Sequence, residues 1–292
     1  MEILIALFVA MIPFAVVTAC VTLMRSHAGK KSRLPFNYAE MARPPGFSLL
    51  QSNRSLITDF TMYILLATIY FLLPFSIPTI LGSLNIHKLE ASWWAYSSVF
   101  FMGSVYSSYR SMQAFKQAMN VRLGMEAEWA VANTLAKITD TDVRVFHDIQ
   151  GPNFNIDHVL TYPGGVIAIE TKGRRKPNQK DNKNTHKLLV SGDSLLYPHY
   201  NDIETIPQAT RQAQWLSKNL SSSTGLVIKS RPLVVVPGWY IEYKEKPIMP
   251  VLSHNNFIKN YRTTSKILFD NAELTRINHQ LELLCRRMSE DF

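Results

Sequence analysis

The chain has 292 residues and a formal net charge of +9, a length that fits one or two domains. Its two cysteines, Cys20 and Cys285, exclude a disulfide framework and a zinc-ligand pattern and suit a reducing compartment. The long apolar stretches crowd into the first 109 residues, whereas from Arg110 onward 24 Lys and Arg stand against 18 Asp and Glu, so a membrane half precedes a basic globular half.

Ile3 to Met24 is apolar and uncharged, long enough to cross the hydrocarbon core as a helix. Phe60 to Leu81 forms a second such run, with Pro74 and Pro78 set to kink it. Ala91 to Tyr109 is a third, weakened by serines, with Trp93, Trp94 and Tyr96 as an interfacial anchor. Arg25, Lys30, Lys31, Arg33, Arg43 and Arg54 lie in the 25–55 loop, where Glu40 is the one acid, and the loop 82–90 has only Lys88 as a base. The positive-inside rule then places the 25–55 loop and everything after the third span in the cytoplasm, with the N-terminus outside. Val17 to Cys20 has the form of a lipoprotein cleavage box. Glu2 and no base precede the apolar run, however, so an uncleaved anchor is expected.

Residues 110–120 read as a linker and 121–292 as the globular domain, closed by a helical C-terminal region. "GMEAEWAVANTLAKI" has helical spacing, "VRVFHDI" is strand-like, and "IDHVL" and "VIAIETK" are strands joined by the turn "TYPGG". "IPQATRQAQWLSKNL" is a helix, "RPLVVVPGWYI" holds a buried strand, and "LTRINHQLELLCRRM" is a closing helix. Strands and helices mixed in this way give an α/β domain.

Asp157, Glu170 and Lys172 stand inside apolar strands, where a carboxylate needs a partner or a metal. Alternation puts Val166, Ala168, Glu170 and Lys172 on one face, and sets Ile156, His158 and Leu160 opposite Asp157 and Val159. If Tyr162 pairs with Gly165 across Pro163-Gly164, Asp157 falls opposite Glu170, with Cβ atoms about 5 Å apart. Two such acids repel unless one is protonated or a divalent cation lies between them. With Lys172 beside them, the set suits metal-assisted phosphodiester hydrolysis. A structural ion pair at a solvated strand end is the alternative. Glu128 shares the buried stripe of Met125, Val131, Ala132 and Leu135, while Glu126 faces solvent. A capping or salt-bridge role competes with a functional one for Glu128.

These residues resemble the nuclease-related domain, or NERD, family within the PD-(D/E)xK nuclease superfamily. The likeness covers roughly 120 to 240, through "GMEAEWAVANTL", "NIDHVL", "PGG", "VIAIETKG" and the helix "PQATRQAQWL". Ile156 replaces the proline of the superfamily name, and Ala127 stands where the family usually has glycine. The resemblance implies a restriction-endonuclease-like fold with a mixed central sheet flanked by helices. It also implies Asp157, Glu170 and the Thr171 carbonyl as ligands of Mg2+ or Mn2+, and a catalytic Lys172. Glu128 would support the metal or the attacking water. Gln208 would bind near the phosphate, with Gln212 as its rival.

Beyond that core, the loop "KGRRKPNQKDNKNTHK" supplies Arg174, Arg175, Lys176, Lys180 and Lys183 as candidate phosphate contacts, or else a solvated surface. His158 reads as a satisfied core histidine and Trp239 as a packing residue. His147 and Asp148 complete no site. There is no Gly-rich phosphate loop, nucleophile elbow or zinc spacing. The expectation is a multi-pass protein of a bacterial inner membrane with a cytoplasmic, metal-dependent nuclease domain, DNA favoured over RNA, acting on or defending against incoming DNA. Protein partners or self-association through the membrane helices would fit this architecture. A non-cleaving nucleic-acid sensor or tether, or a structural subunit of a membrane complex, is the alternative.

Overall fold

The computed structural model describes residues 41–83, 93–140, 142–177, 186–260 and 267–286, with Cys20 and Leu23 besides. The chain divides into two compact units, one of residues 1–37 and 54–118, the other of 38–53 and 119–292.

The described residues of the first unit are helical and, Cys20 and Leu23 apart, come from two helices whose residues 47–53 and 119–136 belong to the second unit. Helix α1, Phe47–Ser83, holds Pro74 and Pro78 inside it, and the hydroxyls of Thr58, Thr61, Thr68 and Ser76 bond carbonyls four residues back. Helix α2, Trp93–Ala136, packs on it through Gly103, where a Cβ would meet the Tyr70 ring at 3.2 Å. Beside that contact, Ser104 Oγ donates to the Ala67 carbonyl at 3.0 Å. Close approach through a small residue with an interhelical hydrogen bond is how helices associate where no hydrophobic effect drives them together.

Among the described residues one helix, over Phe47–Pro78, is long and apolar enough to cross a membrane. The three expected spans are therefore not all found. The first, 3–24, lies outside the described residues apart from helical Cys20 and Leu23. The third forms the start of α2, where Ser97, Ser98, Ser104, Ser107, Ser108 and Ser111 dilute the apolar run. Residues 110–120, read as a linker, are helical: no glycine or proline interrupts α2 between Gly103 and Gly124. The 25–55 loop also ends in helix, and its part from residue 38 to 53 belongs to the second unit.

The second unit is α/β, with two mixed sheets. The first runs β1 (Arg144–Gln150), β2 (Asn155–Tyr162), β3 (Gly165–Thr171), β7 (Ser230–Val235) and β9 (Val251–Leu252). Its β1–β2 and β2–β3 pairs are antiparallel, and β3–β7 and β7–β9 are parallel. The second is β6 (Asn201–Asp202), β5 (Ser194–Leu196), β4 (Lys187–Ser191) and β8 (Tyr240–Tyr243). Strand β3 is buried throughout, which accounts for its apolar residues on both faces.

One face of the first sheet packs Val159, Val166 and Ala168 against α3 (Thr205–Thr224) through Ala213, Leu216 and Leu220, and against α5 (Asn271–Leu284) through Ile277 and Leu281. The other face packs Leu160, Ile167, Ile169, Leu233 and Val235 with Val131 and Leu135 of α2 and Phe257 of α4 (His254–Asn260). Helix α3 starts where Asp202 accepts the Glu204 and Thr205 N–H groups and ends at left-handed Gly225. A capping box of Asp270 and Glu273 opens α5.

Candidate active site

The β2–β3 hairpin has the expected register, with Tyr162 paired to Gly165 and His158 to Ile169. One step further puts Asp157 opposite Glu170. There the Asp157 carboxylate accepts the backbone N–H of Thr171 at 2.6 Å. Lys172 N–H donates to the Val235 carbonyl at 2.9 Å, continuing the β3–β7 pairing to the end of the strand. Glu170, Thr171 and Lys172 thus sit at the carboxyl end of two parallel strands, where α/β sheets commonly hold their ligands.

The alternation of β2 breaks beside the acid. Ile156, expected on the Leu160 face, joins the opposite core with its β1 partner Ile149 and with Val159. Asp148, at φ 52°, interrupts the period of β1. The pairing of His147 with His158 and of Ile149 with Ile156 places Asp148 level with Asp157. Asp148, Asp157 and Glu170 therefore form one row across three strands. Only strand pairing brings Asp148 to this row, and nothing in the local sequence marks it.

Glu170 is buried, 3% exposed, and fully engaged. Lys172 Nζ lies 2.6 Å from Oε1, Gln208 Nε2 donates to the same oxygen at 2.9 Å, and Gln212 Nε2 donates to Oε2 at 2.8 Å. Gln208 Oε1 also accepts from Lys172 Nζ at 3.2 Å. Both glutamines reach Glu170 because they stand one helical turn apart on α3. Gln212 reaches the Asn155 carbonyl as well, at 2.8 Å, tying α3 to β2.

Glu128 is buried, 6% exposed, on the predicted stripe with Met125, Val131, Ala132 and Leu135. Glu126 is instead an exposed partner of Arg122 at 2.8 Å. Close contact brings α2 to the end of β3: a Cβ on Gly173 would lie 2.8 Å from the Leu123 carbonyl and 2.9 Å from the Ala127 Cβ. Burial, then the neighbouring Asp148 and Glu170 anions, push the Glu128 carboxyl up to about 8. Burial, then Glu170 and Glu128, hold Asp157 well above the usual carboxylate range. Crowded carboxyls in a buried site thus favour the protonated forms of Glu128 and Asp157.

His158, expected to be a satisfied core histidine, is only partly so. Its Nδ1 meets His147 Nδ1 at 2.8 Å, but its buried Nε2 has no partner among the described residues. Burial lowers both rings, His147 to about 4 and His158, with the help of its neighbour, well below the ordinary imidazole range, so the pair is neutral.

Of the candidate phosphate contacts, Lys180 and Lys183 lie outside the described residues. Arg174 turns inward: its Nη2 is 3.2 Å from the Asp202 carboxylate that accepts the N–H groups at the start of α3, and its guanidinium lies 5.8 Å from the Tyr200 ring centroid. Arg175 and Lys176 are exposed, with Lys176 Nζ 5.9 Å from the Trp239 ring centroid. Trp239 is a buried packing residue whose Nε1 donates to the Arg174 carbonyl at 3.1 Å.

Among the described residues, no group of three or more His, Cys, Asp or Glu is arranged to hold a metal ion. Asp157 and Glu170 each supply hard carboxylate oxygen donors, and the Thr171 backbone follows Glu170 directly in sequence. Two carboxylates with water completing the shell suit Mg2+, which keeps much of its hydration.

Residues 123–237 match the family model described as the nuclease-related domain, NERD. The match runs from Leu123 in α2 to Pro237 beyond β7 and contains Glu128, Asp157, Glu170, Lys172, Gln208 and Gln212. No curated protein and no solved structure matches the chain. The matched region is nuclease-related.

Proposed function

We propose that the chain is a membrane-anchored, metal-dependent nuclease that hydrolyses phosphodiester bonds, with DNA as its substrate. One observation carries the reading: Lys172 and Glu170 form a 2.6 Å ion pair beside Asp157, and Gln208 bridges the pair. Asp157, Glu170 and the Thr171 carbonyl would hold Mg2+ or Mn2+, which when bound polarises the phosphate and lowers the pKa of its water. Lys172 Nζ, oriented by Glu170 and Gln208, sets a positive charge where a phosphate oxygen and the attacking water meet. Glu128, kept protonated at neutral pH by its surroundings, holds a proton beside the acid row. Arg175 and Lys176 extend the positive surface past the end of β3 and track the backbone of the substrate.

The membrane part of the reading rests on the apolar α1 and on the exposed Val99, Phe101, Met102, Val105 and Tyr106 of α2, a surface that suits lipid. The basic residues flanking the α1 apolar run favour a cytoplasmic nuclease domain in an inner membrane, with the N-terminus outside. Tethering there would restrict cutting to DNA near the membrane, as in the processing of incoming DNA or defence against it.

A second reading is favoured by one observation. Both Glu170 oxygens already have protein partners, as a structural ion-pair cluster in a non-cleaving sensor, tether or docking subunit would require. Incubating the full-length protein with supercoiled plasmid, with Mg2+ and with EDTA, separates the two. The nuclease reading expects cleavage only with the metal. Binding without cleavage in either condition supports the second.

A further inference from the structure

Residues 38–53 precede α2 by a long stretch of chain, yet they belong to the α/β unit. Arg43 N–H donates to the Cys285 carbonyl at 2.8 Å, Ala42 bridges Arg286 antiparallel, and Trp129 Nε1 donates to the Pro45 carbonyl at 3.0 Å. These bonds hold the segment over the back of the acid row.

There it makes three further contacts. Arg43 Nη1 lies 3.3 Å from Asp148 Oδ2, with side chains only 2% and 4% exposed. Ser48 Oγ reaches both Asp148 oxygens, at 2.7 and 2.9 Å. The Gly46 backbone lies beside the Glu128 carboxyl and favours its charged form. Gly46 is suited to the place: its φ is +71°, and a Cβ would lie 3.1 Å from Met125 Cγ and 3.7 Å from Glu128 Oε2.

Fold stability alone does not call for this charged pair, since well-packed apolar residues of similar volume serve a buried site as well or better. Arg43 Nε has no partner among the described residues, a further cost of burying the guanidinium. The pair acts on Asp148, which neighbours Glu128 and is level with Asp157. We infer that Arg43 and Ser48 are positioning residues of the nuclease site, fixing the Asp148 carboxylate and through it the places of Glu128 and Asp157. The inference rests on the nuclease reading, and both residues lie outside the matched span 123–237. Without Arg43, Asp148 is an uncompensated anion pressing on the other carboxylates, and the left-handed position it occupies in β1 is no longer pinned. The first turn of α1 is then a working part of the site.

The test uses the full-length protein in detergent with plasmid DNA and Mg2+, comparing Arg43→Met, Arg43→Lys, Ser48→Ala and Arg43→Met/Asp148→Asn. Arg43→Met should lower kcat about tenfold or more with KM within about twofold. Arg43→Lys, which keeps the charge, should stay within about threefold of wild type. The double variant should be no slower than Arg43→Met, because both changes cut one path. Melting curves check folding, and if Arg43→Met does not fold, Ser48→Ala carries the test with an expected fall in kcat of about threefold or more. Wild-type kcat in Arg43→Met and Ser48→Ala, an effect confined to KM, or a double variant slower than Arg43→Met overturns the inference and leaves the nuclease reading standing. A wild-type protein that does not cut removes both.

Discussion

Gln212 and Glu170, on different elements, meet at 2.8 Å, and the same glutamine amide spans to the Asn155 carbonyl at the start of β2. Its neighbour Gln208 instead links Glu170 to Lys172. One helix thus gives the carboxylate two partners with different work. Gln212, 2% exposed, secures the fold around the site; Gln208 aims the lysine.

The two glutamines should separate in assay. Gln212→Leu leaves a buried carboxylate oxygen and a carbonyl without their donor, at a cost of about 1–3 kcal/mol. It should lower the melting temperature clearly. Gln208→Leu should change melting little and lower kcat about tenfold or more, because Lys172 loses its second guide. Equal effects of both variants on melting and rate would erase the distinction.

The pH dependence of stability in EDTA follows from the raised carboxyls. Glu128 is pushed up to about 8 and Asp157 is raised, so the folded state binds more protons than the unfolded chain between the ordinary carboxylate range and about pH 8. The stability from these groups is complete below the unfolded pKa values and is lost as pH rises through the folded ones. Metal-free protein should therefore melt at falling temperature from about pH 5 to about pH 8, and Glu128→Gln should flatten the slope. A wild-type profile that rises over that window contradicts the assigned environment.

Much of this arrangement is legible in the sequence. With Tyr162 paired to Gly165 across Pro163-Gly164 and no bulge in the hairpin, Asp157 falls opposite Glu170 by counting, and the helical period places Glu128 inside and Glu126 outside. Asp148 is not legible: its β1 neighbours alternate like any strand, and its left-handed φ leaves no mark in local composition. Arg43 and Ser48 stand about a hundred residues from Asp148 in the chain, and their basic segment reads first as a membrane-flanking loop. The change from apolar to charged residues near Arg110 suggests a boundary, but the backbone has no breaker there and stays helical. Strands β4, β5, β6 and β8 have two to five residues, too few to show a period.

Salt dependence should divide the basic residues after Lys172. Replacing Arg175 and Lys176 by alanine should flatten the salt slope of DNA binding by about 2, one for each phosphate left without its cation. Arg174→Ala should leave that slope nearly unchanged and lower stability instead, because Arg174 is spent on Asp202 at the start of α3. A slope that changes only with Arg174 would reverse the assignment.

The central claim is that Asp157 and Glu170 tolerate their shared burial because together they would hold a divalent cation. The most direct measurement is plasmid cleavage and thermal melting of full-length wild type and Asp157→Asn, each with Mg2+ and with EDTA. Asp157→Asn keeps the shape and removes a charge needed to hold the cation. Cleavage should fall by orders of magnitude while the protein stays folded, and Mg2+ should raise the melting temperature of wild type much more than that of the variant. Relief of carboxylate repulsion should leave the metal-free variant at least as stable as metal-free wild type. Normal cleavage by Asp157→Asn, or no response of either protein to Mg2+, would contradict the account and leave Asp157, Glu170 and Lys172 as a structural ion-pair cluster.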